Sequence, residues 1–239
     1  MYSIKPIILL LCFSILFNCT EEQNTTFSDI NISTERNTIV EVNIPKADGN
    51  GIVSNNINSE IQRHVISSLQ IGNSNEINST SIEESINSFN REFNSFKNNF
   101  PSSVQLWEAQ IDGEIMHQSS NIISIAVTDY INTGGAHGAL KISFLNFDSK
   151  TGNKVENYQL FNDINTLKKI IKPHYISATK DKSLLLDNDD FKLPKNIGYS
   201  QEGLVLLYNT YEIAPYSTGI IEFIIPYDDI DSYLVFNSL

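Results

Sequence analysis

Ile122 to Asp148 reads IISIAVTDYINTGGAHGALKISFLNFD, two apolar runs on either side of a glycine-rich knot. Ile123, Ile125, Val127 and Ile131 alternate with Ser124, Ala126 and Thr128, the period of a strand with one face buried. After the knot Leu140, Ile142 and Phe144 keep that period, while Leu145 and Phe147 give the opposite face apolar weight as well. Gly134, Gly135 and Gly138 reach backbone conformations that side-chain-bearing residues resist. The pattern predicts an antiparallel hairpin with an irregular loop of about five residues. His137 rides in that loop, where the glycines leave room for close approach. TGGAHG is therefore open to two readings, a plain chain reversal or one edge of a recognition surface.

Working toward the N-terminus, Val104 to Ile115 alternates, with Trp107, Ala109, Ile111 and Ile115 on one face. Before it, Ser81 and Glu84 form a capping box that opens a helix. Ile82, Ile86, Phe89, Phe93, Phe96 and Phe100 make its apolar stripe, and Pro101 ends it. A further helix is expected from about Asn55 to Gln70, with Ile57, Ile61, Val65 and Leu69 at four-residue spacing. His64, one turn after Glu60, reads as a helix-face histidine paired with a carboxylate. Thr38 to Pro45 alternates and should be the first strand.

Toward the C-terminus, a tight turn at Asp148–Gly152 leads to a short strand over Lys154–Phe161. A helix follows from about Asn165 to Ala178, in which Pro173 predicts a kink or an early end. Asp181 to Asn196 reads as a polar loop, Leu204–Tyr208 as a central strand, and Ile220–Ile225 as the last strand. Between those two strands lies the aromatic loop YEIAPYSTG, Tyr211 to Gly219. Pro226 to Leu234 closes the chain as a turn or short helix. Strands and helices are segregated rather than alternating, so the class is α+β: antiparallel sheets with packed helices, in two contiguous subdomains.

The 239 residues carry a net charge of −12, with 41% hydrophobic and 18% charged residues. That composition is ordinary for a globular chain. Its acidity argues against a nucleic-acid partner, which needs a basic face, and against charge-driven docking on anionic lipid. Met1–Lys5 followed by the apolar run Ile7–Phe17 has the length of a signal segment and is too short to span a bilayer. Leu16-Phe17-Asn18-Cys19 resembles the lipobox of bacterial lipoproteins, with Phe17 and Asn18 in place of the usual small residues. Glu21-Glu22 resembles the acidic tract that follows such a cysteine on surface lipoproteins. Removal of 1–18 takes Cys12 with it and leaves Cys19 as the lone thiol, which cannot form an internal disulfide. The expectation is lipidation at Cys19, a flexible polar tether over 19–36, and a protein facing the periplasm or cell surface.

No HExxH, GxSxG, P-loop or CxxC pattern is present. His64, His117, His137 and His174 have no metal-ligand spacing. Asp187-Asn188-Asp189-Asp190 lacks the glycine and glutamate of a calcium loop. The sequence therefore implies no metal, no cofactor and no recognisable catalytic set.

TGGAHGALKISFLNFDSKTGNKV, the Leu160-Phe161 strand end and EGLVLLYNTYEIAPYSTGIIEFIIPYDDI together resemble the DUF3298 domain. The preceding region resembles DUF4163. The resemblance implies a boundary between a DUF4163-like unit, 37–130, and a DUF3298-like unit, 131–239. Proteins with this pair include anti-sigma factors whose extracellular part binds lysozyme, and peptidoglycan deacetylases. This chain lacks the cytoplasmic sigma-binding segment of the first and the HxxxH pair of the second. What the resemblance implies is a non-catalytic binding module for an envelope protein of lysozyme type or a peptidoglycan-type glycan. The ligand-binding candidates are Gly134, Gly135, His137 and Gly138 on one loop and Tyr211, Glu212, Pro215 and Tyr216 on the other. An envelope hydrolase using carboxylates such as Glu212, or an accessory subunit of a peptidoglycan-modifying enzyme, is the alternative.

Overall fold

The computed structural model of the chain describes residues 25–72, 79–180 and 191–237. The expected signal segment, Cys19 and the Asp187–Asp190 run lie outside the described residues.

The central hairpin is β4 (Ile122–Asn132) and β5 (Ala139–Asp148), paired antiparallel from Ile122↔Asp148 to Ile131↔Ala139. It sits inside a six-stranded sheet, in which β1 (Phe27–Ile32), β2 (Val40–Ala47) and β3 (Glu108–Gln118) precede it and β6 (Lys154–Val155) follows at the far edge. Neighbours are antiparallel except β2 and β3, which run parallel. The expectation of wholly antiparallel pairing needs that correction, and its cause is connectivity. Both long helices, α1 (Ile52–Ser68) and α2 (Ile82–Asn99), lie between β2 and β3 in the chain, and a crossover of that length returns the strand in the same direction.

One face of the sheet is covered by those helices. Ile57, Ile61 and Val65 of the first and Leu69 at its C-terminal cap, with Ile82, Ile86 and Phe89 of the second, form one core with Val42, Ile111, Ile123, Ile125 and Phe147. The helix stripe is buried only in its first half. Phe93 and Phe96 are half-buried against Trp107, and Phe100 stands 59% exposed. Ser81 caps α2 through its Oγ, while the Glu84 carboxylate reaches Thr80 N–H at 2.7 Å, one residue short of the reciprocal box. Ile115 was expected inward. It is 39% exposed and lies beyond the β2–β3 pairing, which ends at Asp112.

The opposite face is covered too, which one-sided alternation does not foresee. A three-stranded antiparallel sheet, β7 (Asn196–Tyr199), β8 (Gly203–Tyr208) and β9 (Ile221–Pro226), packs there. Its contact uses small and polar groups. Ser124 Oγ donates to Asn146 Oδ1 at 2.8 Å and accepts from Tyr199 N–H at 3.1 Å, and Asn146 Nδ2 donates to Ile197 C=O at 2.8 Å. Gly198 lies against the Phe144 ring, which a Cβ would meet at 2.6 Å. The outer face of this small sheet joins Leu167 and Ile171 of α3 (Ile164–Thr179) in a second core. A short α4 (Tyr227–Ile230) follows β9.

Three further expectations about single elements are revised. Phe27–Ile32, within the expected tether, is the edge strand β1. It pairs with β2 at the sheet edge, where Phe27, Ile30 and Ile32 are half-buried against the core and Ser28, Asp29 and Asn31 are exposed. α3 runs through Pro173 to Thr179, with the ring exposed on the solvent side. The strand expected over Lys154–Phe161 is only two residues long before a 3₁₀ turn at Asn157–Gln159. The expected division at 130/131 falls inside β4, so the six-stranded sheet belongs to both halves.

Candidate functional site

The loop Thr133–Gly138 is held from beneath. Asn132 Oδ1 accepts from Gly134 N–H at 2.9 Å, and Gly134 takes φ +89°, the left-handed region that a glycine adopts without strain. Gly138 is buried under the Tyr130 ring, where a Cβ would come within 2.4 Å. Gly135 is exposed. His137 is also exposed, and its Nδ1 lies 3.1 Å from Gly138 C=O. A carbonyl only accepts, so Nδ1 carries the proton and Nε2 of the neutral ring is left as an acceptor.

The second loop follows β8. Asn209 fixes its start by bonding both peptide groups of Ile142: Ile142 N–H donates to Oδ1 at 2.9 Å, and Nδ2 donates to Ile142 C=O at 2.8 Å. Glu212 braces the turn, its Oε2 accepting from Asn209 N–H at 3.1 Å and its Oε1 from Lys195 N–H at 2.8 Å. Both oxygens are thus engaged by backbone donors. Tyr211 holds φ +67°, a conformation unfavourable for a bulky side chain, and its ring is 62% exposed. Pro215 introduces a 3₁₀ turn at Tyr216–Thr218, which sets the Tyr216 ring.

The two loops meet. His137 and Tyr216 stack with centroids 3.8 Å apart and planes 15° from parallel, and Tyr211 lies 5.8 Å from Tyr216. Gln105 lies against Gly134 at the edge of this surface, and its chain neighbours Val104 and Leu106 are exposed. Of the residues expected at this site, His137, Tyr211 and Tyr216 present side chains outward. Gly134, Gly138 and Glu212 shape the loops that carry them, and Pro215 is half-buried. Val104, Leu106 and Asn209 were not foreseen. Val104 and Leu106 lie in the stretch read as an alternating strand, off the face assigned to Trp107, Ala109 and Ile111, and nothing in the local sequence marks Asn209 as a bridge to β5.

The remaining histidines sit elsewhere. His64 Nε2 bonds Asp129 at 3.0 and 3.2 Å, where the carboxylate one turn away, Glu60, instead pairs with Arg63. His117 lies between the rings of Tyr199 and Tyr227, and burial pushes its pKa down. Among the described residues no cluster of His, Cys, Asp or Glu has the arrangement of a metal centre. No helix among them is long and apolar enough to cross a membrane.

The molecule is thus an α+β protein with two facing sheets and an exposed aromatic surface at two hairpin-end loops. Residues 32–139 match the family model described as Deacetylase PdaC, and residues 143–228 match the one described as Protein of unknown function (DUF3298). The two matched segments are consecutive, the first ending and the second beginning within β5. A DUF3298-family protein from Bacteroides fragilis NCTC 9343 matches with a TM-score of 0.67 at 17% identity, over 90% of this chain and 96% of its own. A DUF3298-family protein from Pseudomonas aeruginosa PAO1 gives 0.61 at 16% identity, over 89% and 95%. At these identities the likeness is one of fold. No curated protein matches the chain.

Proposed function

We propose that the chain is a non-catalytic accessory module of the cell envelope, anchored through lipid on Cys19, that binds a ligand at the His137–Tyr216–Tyr211 surface. The ligand class is a protein of lysozyme type or a peptidoglycan-type glycan. The observation that carries the reading is the stacked pair itself: two rings from separate loops, held in register by buried supports, with their outer surface left to solvent. Rigid aromatics with a polar tip supply contact area at little entropic cost. Tyr211, kept at positive φ beside them, fits the association of local backbone strain with functional loops.

The hydrolase alternative is disfavoured at this place because each Glu212 oxygen already holds a backbone N–H. The match of 32–139 to the PdaC model supports a second reading, an accessory subunit of a peptidoglycan-modifying enzyme. Both readings are tested by pull-down from envelope extract, lysozyme and purified peptidoglycan fragments, using the chain from residue 20 onward and its Tyr216→Ala variant. Capture that needs Tyr216 supports the surface. Equal capture by both proteins places the site elsewhere. Cys19→Ser in the whole chain should abolish palmitate incorporation and release the protein from membranes; unchanged labelling refutes the anchor.

A further inference from the structure

The two-residue β6 leaves much of β5 without a neighbouring strand on its outer edge. β5 pairs with β4 along its whole length but with β6 only at Asn146 and Phe147. In an antiparallel strand alternate residues direct their N–H and C=O to the same side. Ile142 shows which side, since both its groups bond outward to Asn209. Asp148 N–H also points outward, to Asn153 C=O at 3.0 Å. By the same alternation Phe144, between the Asn209 bridge and β6, directs its N–H and C=O away from β4. That edge opens into a cleft of about 560 Å³ lined by Phe144, Lys154, Asn157, Tyr158, Leu193 and Lys195, among others.

We propose that this cleft is a strand-docking site for a short, extended, acidic peptide whose backbone pairs with Phe144 as Asn209 pairs with Ile142. Two features of the fold argue for a peptide. Strand positions here are closed by carboxamides that imitate a neighbouring strand residue: Asn209 does so at Ile142, and Asn58 bonds both N–H and C=O of Ala47 at 2.8 and 2.9 Å. An extended peptide residue offers the same donor–acceptor pair, the basis of recognition by strand addition. The walls supply apolar surface from Leu193 and from Tyr158, which is 73% exposed.

Charge sets the sign of the ligand. Lys154 is held by Glu156 at 2.9 Å, while Lys195 forms no ion pair among the described residues. In a chain of net charge −12, the described residues lining the cleft carry two lysines against one carboxylate, Glu156, with Glu212 engaged by the Lys195 backbone N–H beside it, a local balance that favours an acidic partner. The site is distinct from the aromatic pair and goes beyond the function proposed there.

The test is a ¹⁵N–¹H titration of the chain from residue 20 onward with acetyl-Thr-Val-Thr-Val-Asp bearing a free C-terminal carboxylate. The control is the same peptide N-methylated at its internal residues. The expected result is saturable shifts at Phe144, Leu145 and 154–157. N-methylation should weaken binding about tenfold, the effect of losing one or two hydrogen bonds. Lys195→Ala should weaken it about threefold, as for an exposed ion pair, and Tyr216→Ala should leave it unchanged. Absence of shifts at Phe144 with millimolar peptide, or equal binding of the N-methylated form, overturns the proposal. A result that depends on Tyr216 instead assigns the peptide to the aromatic surface and equally overturns it.

Discussion

Truncating the phenylalanines of α2 one at a time should give a gradient of destabilisation that falls along the helix. Phe89 is 1% exposed and packs edge-on to Trp107 with centroids 5.8 Å apart. Phe89→Ala removes a buried ring from a core that cannot fully collapse, which costs about 3–5 kcal/mol. Loss of the aromatic pair, about 0.5–1.5 kcal/mol, is included in the upper part of that range. Phe93, half-buried and 5.9 Å from Trp107, should lose roughly half as much. Phe100, mostly exposed beyond the helix end, should lose no more than about 0.5 kcal/mol. Urea unfolding followed by circular dichroism reads the series directly. For a chain of this size the Phe89 variant should melt about 6–20 °C lower. Equal losses at Phe89 and Phe100 would refute the placement of the core on the first half of the helix.

Asp129→Ala removes the buried hydrogen-bond partner of His64 and should cost about 1–3 kcal/mol; a loss below about 0.5 kcal/mol in urea unfolding would show that the pair contributes little. Gly138→Ala drives a methyl into the Tyr130 ring and should cost about 1–3 kcal/mol, with unaltered stability showing that the ring moves aside freely. His117 is held below its ordinary value by burial, so the folded protein resists a proton that the unfolded chain accepts near pH 6.5. Stability should therefore fall as pH drops through about 6.5 toward the folded value, and His117→Gln should lessen that fall between about pH 7.5 and 5.5. Identical melting profiles for variant and wild type over that range would remove His117 from the acid response.

Much of the fold was legible because its helices and central hairpin carry strong periodicity. Ile57, Ile61, Val65 and Leu69 are all buried, as their spacing requires. What escaped the sequence was set by long-range packing. β1 pairs with β2 at the sheet edge, and its apolar residues Phe27, Ile30 and Ile32 are only half-buried and depart from strict alternation, so they do not read as a strand. The second covered face of β4 is met by Ser124 and Ala126, residues whose small size reads as solvent-facing until β7 is placed on them. Tyr199, in a strand of four residues, carried too short a pattern to register. The two candidate loops were legible from their glycines and tyrosines. That His137 would lie flat on Tyr216 was not, because the approach of the loops depends on Asn209 reaching β5 across 67 residues of chain.

The most direct measurement is calorimetric titration of the chain and of Tyr216→Ala against one ligand captured by the wild type, with melting temperatures recorded on the same samples. If the aromatic pair is a recognition surface, the variant should bind at least about tenfold more weakly, as expected for an interfacial tyrosine. Its melting temperature should stay within about 3 °C of wild type, since the ring is solvent-facing. A variant that melts well below wild type yet binds as tightly would contradict this, and would make the His137–Tyr216 stack a lock between two hairpin ends.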